Sequence, residues 1–284
     1  MLTQVRPTAI APRPFLKWAG GKTQLLPQYA ALFPTNYRTY YEPFLGGGAV
    51  FFSLKPKKSF LSDINLEIIN VYRCIRDEVE NIITHLQHHY ISHSEEYYYD
   101  IRLRQGDTAE WFWVGNNVER AARILYLNKT CFNGLYRENS KGHFNVPIGR
   151  YKNPSIYDPE LLRSCSSLLK TTRIEPVGFE DILRRAKSSN DFVYFDPPYH
   201  PLSQTSKFTS YTRYSFTEQD QIRLRDAFTK LSDRGVQVML SNSDCELVRD
   251  LYSGFNIHTI YASRYINAKG DKRGKITEVL VTSY

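Results

Sequence analysis

Asp196, Pro197, Pro198 and Tyr199 follow directly on the apolar run Phe192-Val193-Tyr194-Phe195. A short run rich in β-branched and aromatic residues, stopped by two prolines, predicts a buried strand that ends abruptly, with the Asp196 carboxylate at its carboxyl edge. In an open α/β sheet that edge is where ligands bind. Each proline fixes its own φ, lacks an N–H and pushes the residue before it out of the helical region. So stiff a turn can hold one acceptor side chain, the carbonyl of Pro197 and the face of Tyr199 around a flat polar molecule. The competing reading is an ordinary Asp-Pro turn closing a strand, followed by a tyrosine that only packs.

A second cluster lies earlier. Tyr37 to Tyr41 is a candidate strand that runs into Glu42-Pro43-Phe44-Leu45-Gly46-Gly47-Gly48 and then the apolar Ala49-Val50-Phe51-Phe52. Strand, glycine turn and helix is the context in which a nucleotide's sugar and amino-acid parts approach the backbone. Ser59 to Ser62 reads as the next strand and ends at Asp63, an acid spaced from Gly46 to accept hydrogen bonds from ribose hydroxyls. The alternative is a tight turn with Asp63 capping a helix. The stretch Phe15-Leu16-Lys17-Trp18-Ala19-Gly20-Gly21-Lys22-Thr23 invites a phosphate-loop reading, but that motif needs a glycine where Leu16 stands. A nucleotide triphosphatase is therefore disfavoured.

The elements that must carry these residues follow from the rest of the pattern. From about 65 to 130 the composition is helical, and Asn117 to Lys129 places Val118, Ala121, Ala122, Leu125 and Tyr126 on one face with Arg120 and Arg123 off it. His85, His88, His89 and His93 recur at spacings of three and four; with no accompanying cysteines and no H-E-x-x-H pattern, they read as a solvated helix face rather than a metal site. Residues 128 to 153 alternate aromatics and amides with Lys129, Arg137, Lys141, Arg150 and Lys152, and the Asn-Gly and Lys-Gly pairs suggest a hairpin. Arginines and amides of this kind read base edges, and aromatics wedge between bases; a solvent-facing hairpin has the same composition. Asp158-Pro159-Glu160 and Thr217-Glu218-Gln219-Asp220 are helix starts. Arg173 to Val177, Asp191 to Phe195, Val236 to Leu240, Asn256 to Tyr261 and Ile276 to Val281 complete a sheet of about seven strands. A Ser/Thr-rich loop spans Pro201 to Tyr214. Arg264, Lys269, Lys272, Arg273 and Lys275 crowd another, which either follows a phosphate backbone or is a basic hairpin tip.

The whole chain sets outer bounds. Its 284 residues suffice for one large α/β domain with an insertion. Lys and Arg outnumber Asp and Glu by 37 to 29, and the resulting net charge of +8 suits a polyanionic partner. Cys74, Cys131, Cys165 and Cys245 are scattered, as in a reducing compartment. The proline-rich first 14 residues lack a signal peptide's apolar segment, and no run has the length of a membrane span, so a soluble intracellular protein is expected.

Taken together, Phe15-Leu16-Lys17-Trp18-Ala19-Gly20-Gly21-Lys22, Glu42-Pro43-Phe44-Leu45-Gly46-Gly47-Gly48 and Asp196-Pro197-Pro198-Tyr199 resemble, in sequence and in order, the Dam-type (α group) DNA adenine-N6 methyltransferases. The resemblance extends to Asn133-Gly134-Leu135, Phe144-Asn145-Val146-Pro147, Gly149-Arg150-Tyr151 and Phe208-Thr209-Ser210-Tyr211. It implies a Rossmann-like mixed seven-stranded sheet with helices on both faces and an inserted, mostly helical recognition domain with a β-hairpin. The catalytic domain would comprise residues 1–64 and 170–284, and the target-recognition domain 65–169. Trp18, Lys22, Phe44, Gly46, Gly48, Asp63 and Asp196 would line an S-adenosylmethionine pocket. Lys17, Phe132, Leu135, Arg137 and Arg150 would meet double-stranded DNA, and Asp196, Pro197 and Tyr199 would be catalytic. Phe132 stands where some members carry tyrosine, so a stacking role survives and a hydroxyl hydrogen bond does not. The family's usual target is GATC, methylated on a flipped-out adenine. A cytoplasmic monomer that needs no metal and no membrane is expected, and a cognate restriction enzyme acting on the same site without direct binding is compatible with the reading. Cytosine N4, RNA or another target sequence, and a catalytically silent DNA-binding protein, are the alternatives.

Overall fold

The computed structural model describes residues 10–104, 116–202, 216–263 and 275–284. Most of the Ser/Thr-rich loop, Phe208-Thr209-Ser210-Tyr211, the basic cluster Arg264, Lys269, Lys272 and Arg273, and the Lys275 side chain lie outside the described residues. The chain divides into two compact units, Met1–Ala19 with Glu67–Thr172 and Gly20–Leu66 with Arg173–Tyr284. Residues up to Ala19 go with Glu67–Thr172. Backbone bonds explain this: Lys17 N–H is bound by Asn128, and the Arg13 carbonyl by the Cys165 thiol.

The unit of Gly20–Leu66 and Arg173–Tyr284 is built on a sheet. Its strands are β1 (Thr39–Glu42), β2 (Ser59–Ser62), β3 (Thr172–Glu175), β4 (Asp191–Phe195), β5 (Gln237–Ser243), β6 (Asn256–Ser263) and β7 (Lys275–Thr282). Among the described residues they form one seven-stranded sheet in the order β3-β2-β1-β4-β5-β7-β6. β1 pairs in parallel with β2 and β4, and β4 with β5, while β7 runs antiparallel between β5 and β6. Every residue of β4 is buried, as a central parallel strand covered on both faces requires. The helix Glu218–Ser232 opens on the expected box, Thr217 and Asp220 capping each other's backbone. It buries Leu224, Phe228 and Leu231 against Val193, Phe195, Val238 and Leu240. Each of these side chains contributes about 1.5–3 kcal/mol by leaving water. The chain steps from β1 outward to β2 and later returns to the other side of β1 as β4, so the topological switch point lies between β1 and β4.

The second unit is mostly helical. Ser94, Asn116 and Asp158 each accept a hydrogen bond from the N–H of the third residue of the helix they open, the use for which short polar side chains are favoured there. Asn117–Thr130 is buried almost all round, and Arg123 is only 2% exposed. Its guanidinium donates to the carbonyls of Ile101 and Arg102, and burial pulls its pKa down to about 10. The expectation that Arg123 lies off the packed face is therefore corrected: amphipathic periodicity cannot distinguish a cation facing water from one spanning two backbone carbonyls. Of the histidines expected on a solvated face, His88 is exposed and His89 is the exception. His89 is buried, stacks on Tyr126 at 4.8 Å and shares a 2.8 Å hydrogen bond with the Tyr97 hydroxyl. Desolvation lowers its pKa to about 4. Residues 128–130 complete the helix, and the expected hairpin reduces to two antiparallel bridges, Cys131 with Ile148 and Glu138 with Phe144.

Candidate active site and recognition surface

Asp196 stands at the carboxyl end of β4, beside the switch point. Its Oδ1 receives both the Lys22 ammonium at 2.8 Å and the Ser241 hydroxyl at 2.8 Å. Ser241 is in turn 2.9 Å from the buried Tyr194 hydroxyl. Among the described residues no donor reaches Oδ2, and no hydrogen bond reaches the Pro197 carbonyl. Lys22 is 4% exposed and donates as well to the Gly20 carbonyl. An ammonium so employed is not free to bind a phosphate, in agreement with the rejection of a phosphate loop.

The proline turn is braced from below. Gln221 donates to the Pro198 carbonyl at 3.1 Å and accepts from Asn242, which also accepts the His200 N–H. The Tyr199 ring lies 4.7 Å from the Lys22 ammonium, and its hydroxyl donates to Glu278 Oε2 at 2.7 Å. Burial, followed by the charge of Asp196, holds the Tyr199 phenol well above its usual range. Glu278 is also raised, mainly by desolvation, with Lys22 and the Tyr199 hydrogen bond opposing. Glu278 and Ser241 did not stand out in the sequence. Glu278 sits in the antiparallel strand β7, opposite Ser243, and only the strand pairing reveals it.

At the neighbouring strand ends, Gly46 and Gly48 have φ of 46° and 65°, a left-handed conformation that glycine adopts at least cost. The Gly46 N–H donates to Asp63 Oδ2 at 3.1 Å and the Asn65 N–H to Oδ1 at 2.9 Å. Asp63 thus closes a short turn ahead of the helix that begins at Leu66 rather than capping that helix, and it also ties the glycine turn to β2. With three backbone donors on two oxygens, one oxygen keeps a second lone pair for a hydroxyl donor. Burial raises the Asp63 pKa, although the three backbone N–H groups of Asn65, Gly46 and Ile64 pull it down. The half-buried Phe44 ring packs on Phe179, Phe216 and Phe195, and Ile64 nearby in sequence is 58% exposed. An acid with a spare lone pair, a glycine backbone and apolar surface fit a nucleoside.

The residues expected to meet DNA lie in the other unit. Phe132 is 48% exposed, and Arg137 is exposed with its Nε donating to Asn145 Oδ1 at 2.7 Å. Leu135 is half-buried and Arg150 exposed. The Lys17 ammonium lies 3.4 Å from the Tyr151 hydroxyl and 4.5 Å from that ring's centre. Trp18, expected at the cofactor, belongs to this same unit and packs on Tyr136 with ring centres 5.3 Å apart. Among the described residues no group of His, Cys, Asp and Glu is placed to hold a metal ion, and no helix is long and apolar enough to cross a membrane.

A mixed seven-stranded sheet of this strand order, with an aspartate at the end of its central parallel strand beside the switch point, is a Rossmann-like methyltransferase fold. The chain matches the D12 class N6 adenine-specific DNA methyltransferases over residues 18–266 and belongs to that family. It is a site-specific DNA methyltransferase acting on adenine. It is 52% identical to the Type II methyltransferase M1.LlaDCHI of Lactococcus lactis subsp. cremoris, over 96% of this chain and 95% of that one. It is 45% identical to the Type II methyltransferase M.MjaIII of Methanocaldococcus jannaschii, over 96% and 99%. The DNA adenine methylase of Escherichia coli K12 is 34% identical, over 94% of each chain.

Proposed function

We propose that the chain transfers the methyl group of S-adenosylmethionine to N6 of an adenine flipped out of double-stranded GATC, with Asp196, Pro197 and Tyr199 at the reacting amine. The observation that supports this reading is the Asp196 carboxylate at the end of β4, its Oδ1 committed to Lys22 and Ser241 while no donor among the described residues reaches Oδ2 or the Pro197 carbonyl. An exocyclic amine is a poor nucleophile because its lone pair is conjugated into the ring. Two acceptors holding its N–H bonds draw the nitrogen toward tetrahedral geometry and free that pair for in-line attack, an effect of position and electrostatics. The bound cofactor supplies an electrophilic sulfonium methyl and a thioether leaving group. Gly46, Gly48, Phe44 and Asp63 would hold it, with Lys22. The alkylated nitrogen is acidic enough to lose its proton without a strong base. The amine is hidden in a duplex, so the base must leave the stack, which costs a few kcal/mol, and Tyr199 would stack on it.

In this reading residues 20–66 and 173–284 are catalytic, and Lys17, Phe132, Leu135, Arg137 and Arg150 in the other unit read DNA. GATC rests on the likeness of the recognition segment to the Dam-type family. The Type II designation of two relatives supports a role beside a restriction endonuclease that cuts the same site. We further propose a monomer in the cytoplasm. Tritium transfer from labelled cofactor into oligonucleotides with and without GATC tests the reading. Label in N6-methyladenine within GATC is expected; label in cytosine, or label independent of GATC, overturns the corresponding part.

A further inference from the structure

Asn128, near the end of the helix Asn117–Thr130, is 1% exposed, and its amide is spent entirely on backbone. Its Oδ1 accepts the Lys17 N–H at 2.8 Å, while Nδ2 donates to the Lys17 carbonyl at 2.8 Å and to the Gly134 carbonyl at 3.1 Å. One side chain therefore grips both polar groups of a residue 111 positions away and the turn that precedes Leu135 and Arg137. That turn is itself demanding, with φ of 54° at Asn133 and 63° at Gly134. A Cβ on Gly134 would lie 2.3 Å from Lys17 Cδ and 2.6 Å from its Cβ, so the lysine stem occupies the space that glycine vacates. The tip is held as well, by Tyr151, whose ring lies 2.4 Å from where a Gly149 Cβ would stand. A lysine is ordinarily a flexible point charge suited to any phosphate. With its backbone bound by Asn128, its stem against Gly134 and its ammonium beside Tyr151, the exposed Lys17 side chain has a direction.

We propose that Asn128 is a positioning residue for target discrimination: its amide locks Lys17 onto the Asn133-Gly134 turn, so that the lysine and the Leu135–Arg137 segment meet base edges in one register. The inference rests on the DNA-recognition reading above. Direct readout depends on donor placement, whereas phosphate contacts tolerate displacement. Loss of the lock should therefore leave DNA binding and degrade choice.

The test starts from the target mapped with the wild-type enzyme. kcat/KM is then measured on that duplex and on duplexes altered at one base pair. Asn128→Asp keeps the acceptor for Lys17 N–H and removes both donors, so discrimination at one base-pair position should fall by about 10-fold. Gly134→Ala, which leaves the Asn128 side chain intact, displaces the lysine stem and strains the turn at its positive φ, should lose discrimination at the same position, and it decides the matter if Asn128→Asp does not fold. In a Lys17→Ala background, Asn128→Asp should add no further loss. Equal losses on all duplexes, with the ratios unchanged, would overturn the proposal. Absence of methyl transfer by the wild type would instead remove the reading on which it rests.

Discussion

Glu42 ends β1 directly before the glycine turn, is 2% exposed, and has both its hydrogen bonds, from the Tyr40 hydroxyl and the Phe51 N–H, on the single oxygen Oε2. Burial, reinforced by the charge of Asp196 and opposed by those two donors and Lys22, lifts its pKa from 4.5 to about 8. Near neutrality the folded protein therefore keeps this carboxyl mostly protonated while the unfolded chain ionises it. The folded state binds the extra proton, so the stabilisation is complete below pH 4.5 and declines as pH rises toward 8. Each pH unit of that window is worth ~1.36 kcal/mol, and the window of about 3.5 units gives a loss of up to ~5 kcal/mol. In Glu42→Gln the side-chain carbonyl can accept the same two donors and has no proton to lose. Urea unfolding of both proteins at pH 4.5, 6, 7 and 8.5 should give stability curves that diverge as pH rises, the variant losing ~1 kcal/mol less per unit. The constant cost of exchanging one neutral group for another does not affect that slope. Parallel curves would refute the reasoning and show that Glu42 is ionised in the fold.

Three further outcomes follow from the same geometry. Asp196→Ala should reduce single-turnover methyl transfer by about 10²-fold or more while a filter-binding measurement finds DNA affinity nearly unchanged; substantial turnover would reject the assignment. Glu278→Ala removes a carboxylate acceptor from Tyr199 and should slow methylation at saturating DNA by roughly 10-fold, since a hydrogen bond to a charged group is worth about 1.5–3 kcal/mol. Glu278→Gln should recover much of that, and equal defects would make Glu278 a packing residue. Arg137→Ala should relax specificity at a single base pair at a cost of about 1–3 kcal/mol, whereas uniform losses on target and unrelated duplexes would make Arg137 a phosphate contact.

Sequence alone determined what depends on neighbours along the chain. The runs at Ser59–Ser62 and Asp191–Phe195 were bounded as the strands are, because a short apolar run halted by proline or polar residues has few other uses. Glycines with positive φ and the caps at Asp158 and Thr217 were legible for the same reason. Tertiary structure decided everything set by strand pairing and burial. Lys22 meets Asp196, and Glu278 meets Tyr199 across 79 residues, because β7 returns antiparallel beside β5. Arg123 and His89 are buried, and Lys17 is gripped by Asn128, where periodicity showed only a helix of mixed character. A side chain's partner, and hence its charge state, depends on which surfaces the folded chain encloses, and that is a property of the packed layers rather than of any segment.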